Sequence, residues 1–164
     1  MFIIEPVKKE DSTGELKLLY RMIEKSMGFV PAHFELFASV DIESMKEFLE
    51  YNMKMLSHDS IDAELLPYLR LEIATRECRN YCINFNTELL KQRGVEDFKN
   101  PALEVKQIAL MQKVLKAIYK SKDFSKMDLD ELEEMGFVHK DFFDLLSYAT
   151  NFMAKSKMIE VYRK

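Results

Sequence analysis

The stretch Lys140-Asp141-Phe142-Phe143-Asp144-Leu145-Leu146-Ser147-Tyr148-Ala149-Thr150-Asn151-Phe152-Met153 decides the fold class of this chain. Phe142, Leu145, Leu146, Ala149, Phe152 and Met153 recur at spacings of three and four, the signature of an apolar stripe on an α-helix. The same reading extends upstream. Asp128 with Glu131 predicts the start of a short helix that Gly136 ends, and Asn100-Pro101 pairs a cap residue with a proline at a first helical position. That second signal predicts a helix bearing Leu103, Leu110, Val114, Leu115 and Ile118. A further helix is expected over about 78–93, closed by Gly94 just past its end. Another covers roughly 60–76, beginning near Pro67 or kinked there.

The N-terminal third reads the same way. Ser12-Thr13-Gly14-Glu15 has the form of a capping box, in which the Ser12 hydroxyl and the Glu15 carboxylate would satisfy free amides. The helix it opens carries Leu16, Leu19, Tyr20 and Ile23 and stops at Gly28. The short segment Phe29-Val30-Pro31-Ala32-His33 then leads to a helix after Asp41 with Met45, Phe48, Leu49 and Leu56 on one stripe. Only residues 2–4 look extended, within an arm over 1–10. All four glycines fall at segment boundaries, and no repeat or domain-splitting linker interrupts the chain. The expectation is one all-α domain over 1–164, a compact bundle of six to eight helices.

Composition narrows the function classes. Of 164 residues 48% are apolar and 32% charged, the balance of a folded chain. A net charge of -4 gives no general attraction to nucleic acid or acidic lipid, so neither is expected as a partner. No run approaches the ~18 apolar residues that span a bilayer, and the start lacks a basic, signal-like region. Two cysteines cannot staple a secreted scaffold, so a cytoplasmic location is expected. There is no glycine-rich phosphate loop, no His-Glu-x-x-His and no Gly-x-Ser-x-Gly. His33, His58 and His139 are scattered near helix boundaries, so neither a metal nor a cofactor is expected. The eleven methionines fall on helical stripes and read as core gap-fillers or a plastic subunit interface.

Chemistry concentrates in Glu77-Cys78-Arg79-Asn80-Tyr81-Cys82-Ile83-Asn84-Phe85-Asn86. This stretch, with Leu89, Leu90 and Gly94 after it, resembles the active-site helix of alkylhydroperoxidase D-like (AhpD-like) and carboxymuconolactone decarboxylase-type proteins. Gly28-Phe29-Val30-Pro31 is similar to the Gly-x-x-Pro near that family's N-terminus. Leu129 to Phe152, with Gly136-Phe137 and Ala149-Thr150-Asn151-Phe152, resembles its C-terminal helical pair. The resemblance implies a helical homo-oligomer (dimer, trimer or hexamer) with a small-molecule substrate. It also implies a Cys-x-x-Cys dithiol, a histidine four residues on, and a glutamate twelve residues before the first cysteine, together reducing peroxides. Here only Cys82 keeps its place. Arg79 stands for the first cysteine, Asn86 for the histidine and Pro67 for the glutamate, while Glu64 and Glu72 lie nearby off the family's spacing.

On a continuous helix from 78, Cys78 and Cys82 would be four residues apart, with β-carbons about 5–6 Å from each other. A disulfide wants about 3.5–4.5 Å, so such a pair closes only where the helix breaks. The two sulfurs would share a face with Phe85 and Leu89, as core thiols. Alternatively Cys82 is a reactive thiol, its thiolate favoured by Arg79 and a helix N-terminus, with Cys78 as resolving partner. These two cysteines are the candidate catalytic residues. The resulting expectation is a thiol peroxidase or oxidoreductase by resemblance, weak or inactive because three of its four motif positions have changed. A decarboxylase-type lyase on a small organic acid, drawing on Arg70, Arg76, His58 and His33, and a non-enzymatic oligomeric scaffold are the alternatives.

Overall fold

The computed structural model describes residues 2–98 and 101–163. Among them eight α-helices follow one another: α1 (Gly14–Met27), α2 (Ala32–Val40), α3 (Ile42–Leu56), α4 (Leu65–Arg76), α5 (Asn80–Gln92), α6 (Val105–Tyr119), α7 (Lys126–Glu134) and α8 (His139–Val161). Two 3-10 turns, Lys9–Asp11 and Ser121–Asp123, complete the helical inventory. None of the described helices is long and apolar enough to cross a membrane.

The chain divides into two compact units, Met1–Met53 with Met158–Lys164, and Lys54–Lys157. In the first, the N-terminal arm is tied down at several points. Ile3 N–H donates to the Tyr162 carbonyl at 2.8 Å, beside an antiparallel bridge between Phe2 and Arg163. Val7 N–H donates to Ser39 Oγ, the buried Tyr20 hydroxyl donates to the Val7 carbonyl, and Lys8 pairs with Glu35 at 2.6 Å. Ser12 does not cap α1. It ends the first 3-10 turn, its hydroxyl donating to the Lys9 carbonyl, and Thr13 is the N-cap. Gly28 does end α1, in the left-handed conformation at φ 81°. The helix α2 was not signalled by the sequence, because its buried residues, His33 to Phe37, form one short unbroken run, polar His33 and Glu35 included, that shows no helical period. There His33 packs against Phe34, Phe37 and Phe48, with ring centroids 4.6 to 6.2 Å apart.

In the second unit α4 is the most enclosed element. Leu65, Leu66, Pro67, Tyr68, Leu69, Ile73 and Ala74 are all buried, on every side of the helix, as expected of one surrounded by neighbours. It packs on α5 and α6. Pro67 sits in its first turn, where a missing amide hydrogen costs no helical bond. The helix predicted from Asn100-Pro101 begins later, at Val105 with Glu104 as N-cap. Asn100 lies outside the described residues, and Pro101–Glu104 have no regular secondary structure. Likewise α7 starts ahead of Asp128, which is the third helical residue of a capping box with Ser125. Asp128 is buried, and Lys113 and Lys116 of α6 reach it at 2.7 and 2.8 Å. Those two ammonium groups and the Ser125 amide hold its carboxyl far below the usual carboxylate range, despite the opposing effect of burial.

Candidate thiol site at the α4–α5 turn

The chain reverses between α4 and α5 in three residues, Glu77 to Arg79. Arg79 N–H donates to the Ala74 carbonyl at 2.8 Å and Cys78 N–H to the Thr75 carbonyl at 3.2 Å, the paired bonds of a Schellman helix end. That geometry places Cys78 in the left-handed slot that glycine ordinarily fills, at φ 55°, the one described non-glycine residue with positive φ. The expectation of a helix from residue 78 is therefore corrected: α5 begins at Asn80, and Cys78 lies outside it. The four-residue helical spacing and shared apolar face hold for Cys82, Phe85 and Leu89 but not for Cys78. At the far end the expectation stands, with Gly94 at φ 78° and Val95 N–H on the Leu90 carbonyl closing a second Schellman end.

The two sulfurs differ in surroundings. Cys78 is exposed and Cys82 is buried, 3% accessible, and no disulfide joins them. Arg79 is the N-cap of α5, and its guanidinium sits 3.5 Å from the Glu77 carboxylate, so part of its charge is answered within the turn. Tyr119 of α6 lies on the same turn, with Arg76 5.1 Å above its ring. Burial and the neighbouring Glu77 push its phenol up to about 12, so it stays protonated at neutral pH. Tyr81 and Phe85 stack in parallel along α5, centroids 6.3 Å apart.

Asn86, at the position the resemblance gives to a histidine, is completely buried. Its Nδ2 donates to the Cys82 carbonyl at 2.8 Å, and its Oδ1 accepts from Arg70 Nε at 2.7 Å. Arg70 Nη1 in turn donates to the hydroxyl of Tyr148 on α8, which is 3% exposed. One guanidinium thus links α4, α5 and α8 across the unit. Glu64 and Glu72, the acids nearest the family's glutamate position, are tied to Arg93 at 2.9 Å and Arg76 at 2.8 Å.

The cationic groups considered for lyase chemistry have separate partners. Arg70 goes to Asn86 and Tyr148, and Arg76 to Glu72 and Tyr119. His58 goes to Asp144 at 3.2 Å, while its Nδ1 accepts the Ser60 amide. That pair of bonds fixes the proton on Nε2. His33 belongs to the first unit and sits among phenylalanines. A cavity of about 570 Å³ does exist in the second unit, walled by His58, Ser60, Asp62, Gln107, Met135 and Phe137 among others, but neither cysteine lines it. No group of His, Cys, Asp or Glu among the described residues could hold a metal ion. Tyr148 and Asp144 were beyond sequence reasoning, since each meets its partner 78 and 86 residues away.

No family model and no curated protein sequence matches the chain. Solved structures do. An uncharacterized peroxidase-related protein from Silicibacter sp. TM1040 superposes over 97% of this chain and 85% of its own, with a TM-score of 0.75 at 15% identity. A second, from Ralstonia eutropha JMP134 and described as an alkylhydroperoxidase AhpD core, covers 97% of this chain and 90% of its own at a TM-score of 0.71 and 17% identity. The chain has an AhpD-like, all-α fold.

Proposed function

We propose that this protein is of the thiol peroxidase/oxidoreductase class by descent and is weak or inactive as a peroxidase. The observation that supports this best is the burial of Cys82 together with the bonding of Asn86. A peroxide must reach the sulfur, and a proton must reach the leaving oxygen. Cys82 is 3% exposed, and the side chain at the histidine position is an amide held by Arg70 and by the backbone. A carboxamide is neither a general acid nor a general base at neutral pH, so it cannot supply that proton. Cys78 is reachable, but it lies on the turn, outside the helix that carries Cys82.

The same bonds support a second reading, a non-enzymatic helical scaffold. In it Arg70, Asn86 and Tyr148 are a structural tie occupying the place of a catalytic set. In either reading the protein is taken to work in the cytoplasm as a homo-oligomer. Peroxide consumption followed with a dithiol reductant tests the proposal. The expected rate is indistinguishable from that of the Cys82→Ser variant. Sustained turnover that Cys82→Ser abolishes would overturn it and restore an active peroxidase.

A further inference from the structure

The loop between α3 and α4, residues 57–64, lines the cavity of the second unit from His58 to Ala63. Its middle is held from α6 by buried Gln107, whose Nε2 donates to the Ser60 carbonyl at 2.9 Å and whose Oε1 accepts the Asp62 amide at 3.1 Å. Its start is held by the His58 ring, which is 11% exposed. There Nδ1 accepts the Ser60 amide at 3.2 Å, and Nε2–H donates to Asp144 of α8 at 3.2 Å. A second α8 carboxylate, Asp141, stands 3.9 Å from that same nitrogen. Lys140 bonds Asp144 from one turn before it, and Lys54 of α3 attracts it as well. Besides neutral Gln107, α6 gives the cavity wall Glu104 and Lys106, which answer each other at 3.3 Å. Asp59 lies next to His58 in the loop, and the turn before α8 adds Met135 and Phe137, which do not titrate.

We propose that His58 is a proton-operated latch on this wall, binding the Ser60 amide when neutral and releasing it when protonated. A neutral imidazole has one acceptor nitrogen, and the Ser60 amide occupies it, so the ring is not free to act as a general base. An imidazolium donates at both nitrogens. Nδ1–H then meets the Ser60 N–H, and a bond becomes a repulsion. The Nε2–H bond to Asp144 is strengthened by the new charge, with Asp141 beside it. Burial opposes ionisation of Asp144, but bonds from Lys140 and His58 hold its carboxyl below the usual carboxylate range, so its charge is present throughout. One proton thus frees the start of the loop and tightens the ring on α8. The Gln107 bonds involve no titrating group, so Ser60 C=O and Asp62 N–H stay anchored while Ser60 N–H is released. The latch requires no reactivity of Cys82, so it stands or falls separately from the reading above.

The test follows the full chain by NMR between roughly pH 8 and pH 5, the range in which histidine ordinarily changes charge. The ring nitrogen resonances of His58 report its tautomer and its protonation. Hydrogen exchange, corrected for its intrinsic pH dependence, reports the protection of each backbone amide. The neutral ring is expected as the Nε2–H tautomer. As it gains its proton, the Ser60 amide loses its protection in step, and the Asp62 amide keeps its own. In His58→Asn, whose Oδ1 takes the place of Nδ1 as an acceptor that does not titrate, Ser60 protection stays constant over the same range. Unchanged Ser60 protection while His58 protonates overturns the proposal, as does a ring that stays neutral throughout. So does an equal loss at Ser60 and Asp62, which would be a general loosening, or the same loss in His58→Asn. The wild-type comparison of Ser60 with Asp62 decides the matter even if His58→Asn does not fold.

Discussion

Cys78 shows how one side chain can stand against its own backbone. The turn needs a left-handed residue for its two Schellman bonds, and a non-glycine residue there costs about 1–2 kcal/mol. Cys78→Gly removes that strain while loosening the unfolded chain, so a net gain of about 0.5–1 kcal/mol is expected. Urea unfolding measures it, with the midpoint moving up and the slope unchanged. A lower midpoint would mean that the Cys78 side chain makes contacts worth more than the strain. The sequence shows Cys78 and Cys82 as a motif spread by one residue. It could not show that the helix between them is broken, because Glu77-Cys78-Arg79 contains no glycine to mark the turn.

At the scale of elements, the α6–α7 pairing turns on Asp128, which both completes the capping box of α7 and receives Lys113 and Lys116. Its carboxyl is depressed in the folded chain, so its contribution is present above the unfolded value of about 3.9 and fades as pH falls below it. Stability measured by chemical denaturation at successive pH values is therefore expected to fall below about pH 4. In Asp128→Asn, which keeps an acceptor for the Ser125 amide but not the charge, that acid limb is shallower and stability near neutrality is about 1–3 kcal/mol lower. An unchanged acid limb would assign the acid sensitivity to other carboxylates. The sequence showed that a helix starts near Asp128, but neither its true cap, Ser125, nor the clamp. Asp128 and Glu131 announce a helix start by local spacing, whereas the lysines come from a neighbouring helix 12 and 15 residues upstream.

At the scale of the whole molecule, the two thiols report on different motions. Cys78 is exposed and should be modified by an alkylating reagent at its ordinary rate in the native state. Cys82 is buried and should react only when the protein opens, so its rate should rise with denaturant along with the opened population. Mass spectrometry after timed alkylation of the wild type and of Cys78→Ser separates the two. Fast native labelling of Cys82 would show that the sulfur is reachable and would remove the main support for an inactive site.

The sequence by itself determined the helical class, the ends of α1 and α5 at Gly28 and Gly94, and the amphipathic course of α8. Each of these follows from chemistry within a few residues: apolar periodicity, and the ease with which glycine turns left-handed. It also located the candidate site by the order of residues around Cys82. The tertiary structure decided what that site contains. Whether a thiol is open or closed depends on which helices cover it, and whether Asn86 is free or held depends on Arg70 sixteen residues away and, through it, on Tyr148. Burial and charge compensation are properties of neighbours in space, and no local spacing encodes them.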